Sequence, residues 1–106
     1  MPPFLLTPGS VETLDDYLAT ESGGRGIETA ERIGRQATID LISASGLRGR
    51  GGGGFPTGTK WAGIAAQDTS RRYLVCNAAE GEPGTFKDRA LMRANPYQLI
   101  EGLMIA

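Results

Sequence analysis

A mixed α/β arrangement, with helices leading into a small and incomplete sheet, is predicted by three observations in this 106-residue chain. Apolar residues recur at helical spacing between Val11 and Ala44, a short apolar run, YLVC, occupies residues 73–76, and capped helical patterns follow it. Short apolar runs bounded by cations and turn residues read as buried strands.

Taken in order, residues 1–9 hold three prolines and a glycine and suit an extended lead-in. Ser10 is placed to cap a helix whose apolar stripe is Val11, Leu14, Tyr17 and Leu18, with Gly23 and Gly24 ending it. A second helical pattern starts after Ile27, breaks near Gly34, resumes through Ala37, Leu41 and Ala44, and meets a left-handed stop at Gly46. Trp61 opens a stretch of small residues to Gln67. The YLVC run, behind Arg71 and Arg72, leads at once into NAAEGEPG, which places polar residues at the carboxyl edge of a strand, where open α/β sheets bind ligands. Thr85 with Asp88 resembles a capping box, and Asn95, Pro96 and Gln98 repeat the logic for a final helix with Tyr97, Ile100 and Met104 on one face. That pattern reaches Ala106 with no cap glycine or terminal cation, so the chain is expected to be cut rather than finished. The expected core is Leu41, Trp61, Leu74, Val75, Leu91 and Ile100.

Composition bounds the function. With 40% hydrophobic and 22% charged residues and a net charge of −1, the chain is expected to be one small domain and lacks the cationic excess of a general nucleic-acid binder. Cys76 is the only cysteine and there is no histidine, so no soft-ligand metal site or iron–sulfur cluster can be assembled from this chain, and no disulfide framework. Lying in an apolar run, Cys76 reads as a small buried hydrophobe in a reducing compartment. No leader pattern opens the chain and no window reaches the length of a membrane span, which together suggest the cytoplasm.

Residues 46–60, GLRGRGGGGFPTGTK, hold seven glycines and three cations, with no acid between Asp40 and Asp68. A flexible linker would lack the FP and KW pairs, and a turn explains one or two glycines but not Gly51 to Gly54 in succession. A cradle explains them: without Cβ atoms, consecutive amides can converge on a phosphoryl group, with Arg48, Arg50 and Lys60 adding charge. Two familiar templates fail in detail. Gly49, Gly51 and Gly54 satisfy G-x-G-x-x-G but follow a helix rather than a strand, and residues 53–58 give the glycine spacing of a nucleotide P-loop with its lysine one place late, at Lys60. The second constellation is Asn77, Glu80 and Glu82, whose carboxylates suit ribose hydroxyls or a carboxamide, or general-base work. No activated nucleophile accompanies them.

Together SGLRGRGGGGFPTGTKW and YLVCNAAEGEPGTFKDR resemble the family of flavin-binding 51-kDa subunits of respiratory complex I NADH dehydrogenases, with relatives in NAD-linked hydrogenases and formate dehydrogenases. The resemblance divides the chain into a variable helical lead-in, residues 1–37, and the N-terminal part of a Rossmann-like FMN-binding domain, residues 38–106, with an incomplete sheet. It implies an oxidoreductase that accepts hydride from NADH onto FMN and passes electrons to a four-iron four-sulfur cluster carried by a later part of the protein. It implies iron–sulfur partner subunits in a complex I-like, hydrogenase or formate dehydrogenase assembly, and a cytoplasmic place, with attachment to a membrane's inner face through those partners. Position by position, Gly49, Arg50, Gly51, Gly52, Gly54 and Lys60 would border FMN, Asn77 and Glu80 would reach its polar groups, and Phe55 and Glu82 would contact the dinucleotide. Catalytic side chains are not expected, because hydride passes between stacked rings. Three departures stand out: Ala79 where the family has aspartate, Gly53 where it has alanine, and Gly63 where it often has a large aromatic. A fragment of this extent would be inactive alone. Two alternatives stay open, a non-catalytic docking or scaffold paralogue and a nucleotide-phosphate-binding module without redox chemistry.

Overall fold

The computed structural model describes residues 9–50 and 53–106. It divides into two compact units, one of Met1–Ile27 with Leu74–Ala106 and the other of Glu28–Tyr73.

In the first unit, α1 (Leu14–Leu18) starts one turn later than expected, because Val11 N–H donates to Ala94 O at 2.7 Å and keeps residues 10–12 out of the helix. Thr13, not Ser10, is the cap, its Oγ1 accepting the Asp16 amide at 3.1 Å. The helix ends at Leu18 with Ala19 as its C-cap rather than at Gly23 and Gly24, which lie in the turn before the next helix: Gly24 has φ +79, and a Cβ on Gly23 would lie 1.9 Å from Tyr17 O. The helix α2 (Arg25–Ser45) begins directly after them. Helices α4 (Lys87–Ala94) and α5 (Pro96–Ile105) meet at one residue, Asn95. Its N–H donates to Leu91 O and its Oδ1 accepts the Gln98 amide at 3.1 Å, the cap that the Asn-Pro pair predicts. Tyr17, 5% exposed, is the buried centre of this unit and stacks on Tyr97 with ring centroids 6.0 Å apart.

The capping box expected at Thr85 is not formed. Thr85 Oγ1 instead donates to Glu82 O at 2.6 Å, and the acceptor for α4 comes from farther back: Glu80 Oε2 takes the Asp88 amide at 2.6 Å. A glutamate reaching across a tight turn performs the capping expected of a threonine three residues away.

In the second unit α2 is broken where the sequence predicts it, at Gly34 with φ 85 and ψ 174, and ends at Gly46 with φ 72. The break resets the helical phase. Thr38 and Ile39 are the buried positions of the piece after the break rather than the stripe through Ala37, Leu41 and Ala44, and Thr38 Oγ1 donates to Gly34 O at 2.7 Å. Helix α3 (Thr57–Ala65) packs on α2 through Gly58, where a Cβ would fall 2.1 Å from Ser43 Oγ and 2.7 Å from Ser43 Cα. Its last carbonyls, with no cation in the final turn, are met by Arg72, which donates to Ile64 O, Ala65 O and Gln67 O.

Among the described residues the architecture is helical, and the expected strand at residues 73–76 is an extended, unpaired segment. A strand exists only through hydrogen bonds to a neighbour, and no described segment supplies them. Its side chains share that fate: Tyr73 and Val75 are 82% and 84% exposed, Leu74 is exposed, and Cys76 is an exposed thiol rather than a buried hydrophobe. Leu41 and Ile100 are likewise exposed, while Trp61 and Leu91 are half-buried.

Candidate functional site

The glycine block is a pinched loop at the head of a helix. Arg48 and Pro56 form an antiparallel bridge, Gly49 N–H donates to Phe55 O at 2.9 Å, and Thr57 N–H donates to Leu47 O at 3.0 Å, so that residues 47–49 lie against residues 55–57. Arg48 Nη1 donates to Gly54 O at 3.2 Å across the neck. Helix α3 starts at once, its N-cap Pro56 offers no side-chain acceptor, and its first turn has no acid, so its positive end is uncompensated by the chain itself. Gly54 has φ +53, and Cβ atoms on Gly53 and Gly54 would meet nothing within 4 Å, so the loop has an open face. Lys60 Nζ lies 5.6 Å from the ring centroid of the half-exposed Phe55. Among the described residues no carboxylate pairs with Arg48, Arg50 or Lys60. Gly49, Arg50, Gly54, Phe55 and Lys60 are thus gathered on one short hairpin and helix start; Gly51 and Gly52 lie outside the described residues. Gly58, the last glycine of the P-loop-like spacing, serves helix packing.

The acidic turn belongs to the other unit. Asn77 Oδ1 accepts the Ala79 amide at 3.1 Å, an Asx-type turn that fixes the start of the loop, and Asn77 lines a mainly apolar cavity of about 650 Å³ with Leu91, Met92, Leu103 and Ile105. Glu80 is held in a conformation that non-glycine residues seldom adopt, φ 42, with its side chain only 4% exposed. One carboxylate oxygen caps α4; the other, Oε1, lies 3.4 Å from Arg89 Nε and is buried without a hydrogen bond. Strain and an unsatisfied buried acceptor at one residue are a combination found at functional positions. Glu82 is exposed, and its main-chain oxygen accepts both the Thr85 amide and hydroxyl. The turn therefore does not present two equivalent carboxylates: Glu80 is turned inward and Glu82 is open to solvent.

Three structured residues escape a reading based on the two motifs. Arg89 partners Glu80, and Tyr17 and Glu101 form a buried pair in which the Tyr17 hydroxyl donates to Glu101 Oε1. Burial, then the hydrogen bond and charge of Glu101, push the Tyr17 phenol up to about 12. Burial opposes the charge of Glu101, but bonds from the Tyr17 hydroxyl and the Gly24 and Ile27 amides outweigh it and hold its carboxyl below the usual carboxylate range. The signal available for this pair is SGGRG at 22–26, a second glycine cluster.

An open glycine face, a helix start without an acid in its first turn and, among the described residues, cations without a carboxylate partner are the features that the amide cradle expected from the sequence requires. Residues 42–106 match the family described as the Nuo51 FMN-binding domain, and the chain belongs to that family. It is 47% identical over 96 residues to a subunit of the NADH-quinone oxidoreductase of Aquifex aeolicus, covering 91% of this chain and 22% of that protein. A subunit of the NADH-quinone oxidoreductase of Streptomyces coelicolor is 51% identical over 94 residues, covering 89% and 21% respectively. The NADP-reducing hydrogenase subunit HndC of Solidesulfovibrio fructosivorans is 42% identical over 94 residues, covering 89% and 19%. The chain thus spans less than a quarter of the length of each of these relatives. The groups present fit FMN: among the described residues the loop's cations have no carboxylate partner, and Glu80 Oε1 has an ion pair with Arg89 but no hydrogen bond.

Proposed function

We propose that this chain is the FMN-holding portion of an NADH-oxidising subunit in an electron-transfer assembly. The observation that carries it is the pinched glycine loop at the uncompensated start of α3, inside the region that matches the FMN-binding family. Gly49, Arg50, Gly51, Gly52, Gly54 and Lys60 border the cofactor, Asn77 and Glu80 meet its polar groups, and Phe55 and Glu82 meet the dinucleotide. The bound flavin supplies hydride acceptance from NADH and release of electrons one at a time. The chain's residues supply position and field. Lys60 holds a positive charge beside the flavin or its phosphate, Phe55 offers an aromatic face for stacking, and Asn77 keeps the turn shaped through its bond to Ala79. Ala79 donates only its amide, so the aspartate contact usual in the family is missing.

A Rossmann-like sheet that includes residues 73–76 belongs to this reading, as do a four-iron four-sulfur cluster in another part of the protein, iron–sulfur partner subunits, and a cytoplasmic or membrane-peripheral place. No described helix is long and apolar enough to cross a membrane. The flavin spectrum of the native protein and its bleaching by NADH test the reading directly; colourless protein that does not bind added FMN would favour a docking paralogue. Lys60→Met is expected to raise the FMN dissociation constant about tenfold, the scale of one charge-assisted contact, or to lower the flavin's reduction potential. Both values unchanged would remove Lys60 from the site.

A further inference from the structure

Glycine clusters with cations signal an anion, and this chain has two of them. The function proposed above uses residues 46–60 and leaves SGGRG at 22–26 with no role beyond leading into α2.

Glu101 stands in the body of α5, yet its carboxylate is 7% exposed and fully engaged by the earlier segment. Oε1 accepts the Tyr17 hydroxyl and, at 2.8 Å, the Gly24 amide; Oε2 accepts the Ile27 amide at 3.1 Å. These amides belong to the start of α2, where backbone donors lack helical partners and a negative charge is favoured. The glycines are required by this approach. Gly24 has φ +79, and a Cβ on Gly26 would come within 2.8 Å of Ile105 Cδ1 and 3.1 Å of Glu101 Oε2. Tyr17, Arg25, Gly26 and Glu101 line the same cavity as Asn77 and Ala78.

We propose that residues 24–27 form an internal anion cradle for Glu101, and that Glu101 is a positioning residue: it latches residues 13–27 onto α5 and so holds the cavity in which Asn77 sits. The effect on cofactor binding rests on the assignment of Asn77 to the flavin; the latch itself does not. Three donors must be accepted by two oxygens, which a carboxylate does and a carboxamide cannot, since its nitrogen would face a donor. Glutamine keeps the shape and loses the chemistry, which separates a latch from simple packing.

The test compares the native protein with Glu101→Gln and Tyr17→Phe by amide hydrogen exchange and by FMN affinity. Glu101→Gln is expected to reduce protection of the Gly24 and Ile27 amides by about tenfold or more while Leu103 and Ile105 stay protected, and to raise the FMN dissociation constant by about threefold or more. Tyr17→Phe removes one donor and is expected to speed Gly24 exchange about threefold. Wild-type protection of both amides in Glu101→Gln would overturn the latch. Lost protection with unchanged FMN affinity would overturn the positioning role alone. If Glu101→Gln does not accumulate folded, Tyr17→Phe decides, and unchanged Gly24 exchange counts against the latch. Wild-type protein that binds no FMN would sink the flavin reading, and the amides would still judge the latch.

Discussion

The two glycine-rich regions of this chain solve the same physical problem in opposite ways. At residues 24–27 the Gly24 and Ile27 amides are closed around a carboxylate from α5, and the adjoining glycines are crowded: a Cβ on Gly23 would strike Tyr17 O. At residues 49–54 the loop is closed only at its neck, Gly53 and Gly54 face open space, and no described carboxylate approaches its cations. One cradle carries its anion within the chain and contributes to stability. The other, on the function proposed above, leaves its donors to the cofactor. Glycine content alone does not separate the two; the presence of an internal acceptor does.

The largest expected effect that would break this contrast comes from the filled cradle. Gly23→Ala would place a methyl 1.9 Å from a main-chain oxygen, so its cost should be about 3 kcal/mol or more, measured by denaturant unfolding. A loss under about 0.5 kcal/mol would show that the segment is not held as described.

A smaller effect is expected from pH. Tyr17 has its folded value raised from 10.0 to about 12, so its contribution is complete below pH about 10 and fades as pH climbs through about 12. Glu101 is lowered from 4.5, so its contribution is present above that value and is lost as pH falls through the depressed folded value. Stability from this pair should therefore be flat between those limits, and Tyr17→Phe should remove the alkaline decline; an identical decline in that variant would exclude Tyr17 as its source.

The smallest effect belongs to the open cradle. Gly53→Ala meets no atom within 4 Å and its φ is not left-handed, so unfolding free energy should shift by no more than about 0.5 kcal/mol. A large loss there would mean that the loop is internally packed and the contrast is wrong.

Several elements are legible in the sequence because their causes are local. Gly34 and Gly46 interrupt and end α2 through their own backbone angles, and Asn95 with Pro96 builds its cap from residues within one turn. The open space at Gly53 and Gly54 is legible for the same reason, because a missing Cβ is displayed directly by the sequence. What the sequence misplaces depends on distant partners. Residues 73–76 read as a buried strand, but pairing and burial are properties of neighbours, and no described segment supplies them. The cap of α4 goes to Glu80 rather than Thr85 because an intervening tight turn brings the carboxylate back. Leu41 is expected inside on the stripe after Gly34, but which face of that helical piece is covered depends on what packs against it, and Thr38 and Ile39 are the buried positions. Glu101 is invisible because a single acid on an apolar helix pattern looks like a solvent-facing residue until its three donors are seen.

Asn95 closes α4 and opens α5 with nothing between them, so the corner has no slack. Inserting one alanine directly after Pro96 would re-index everything downstream by one helical step, a rotation of about 100° at 3.6 residues per turn. Glu101 would be carried round to another side of its helix while the amides of Gly24 and Ile27 stayed behind. Length at this junction is thus as tightly specified as residue identity, and related chains that keep the arrangement should tolerate substitutions here far more readily than gaps.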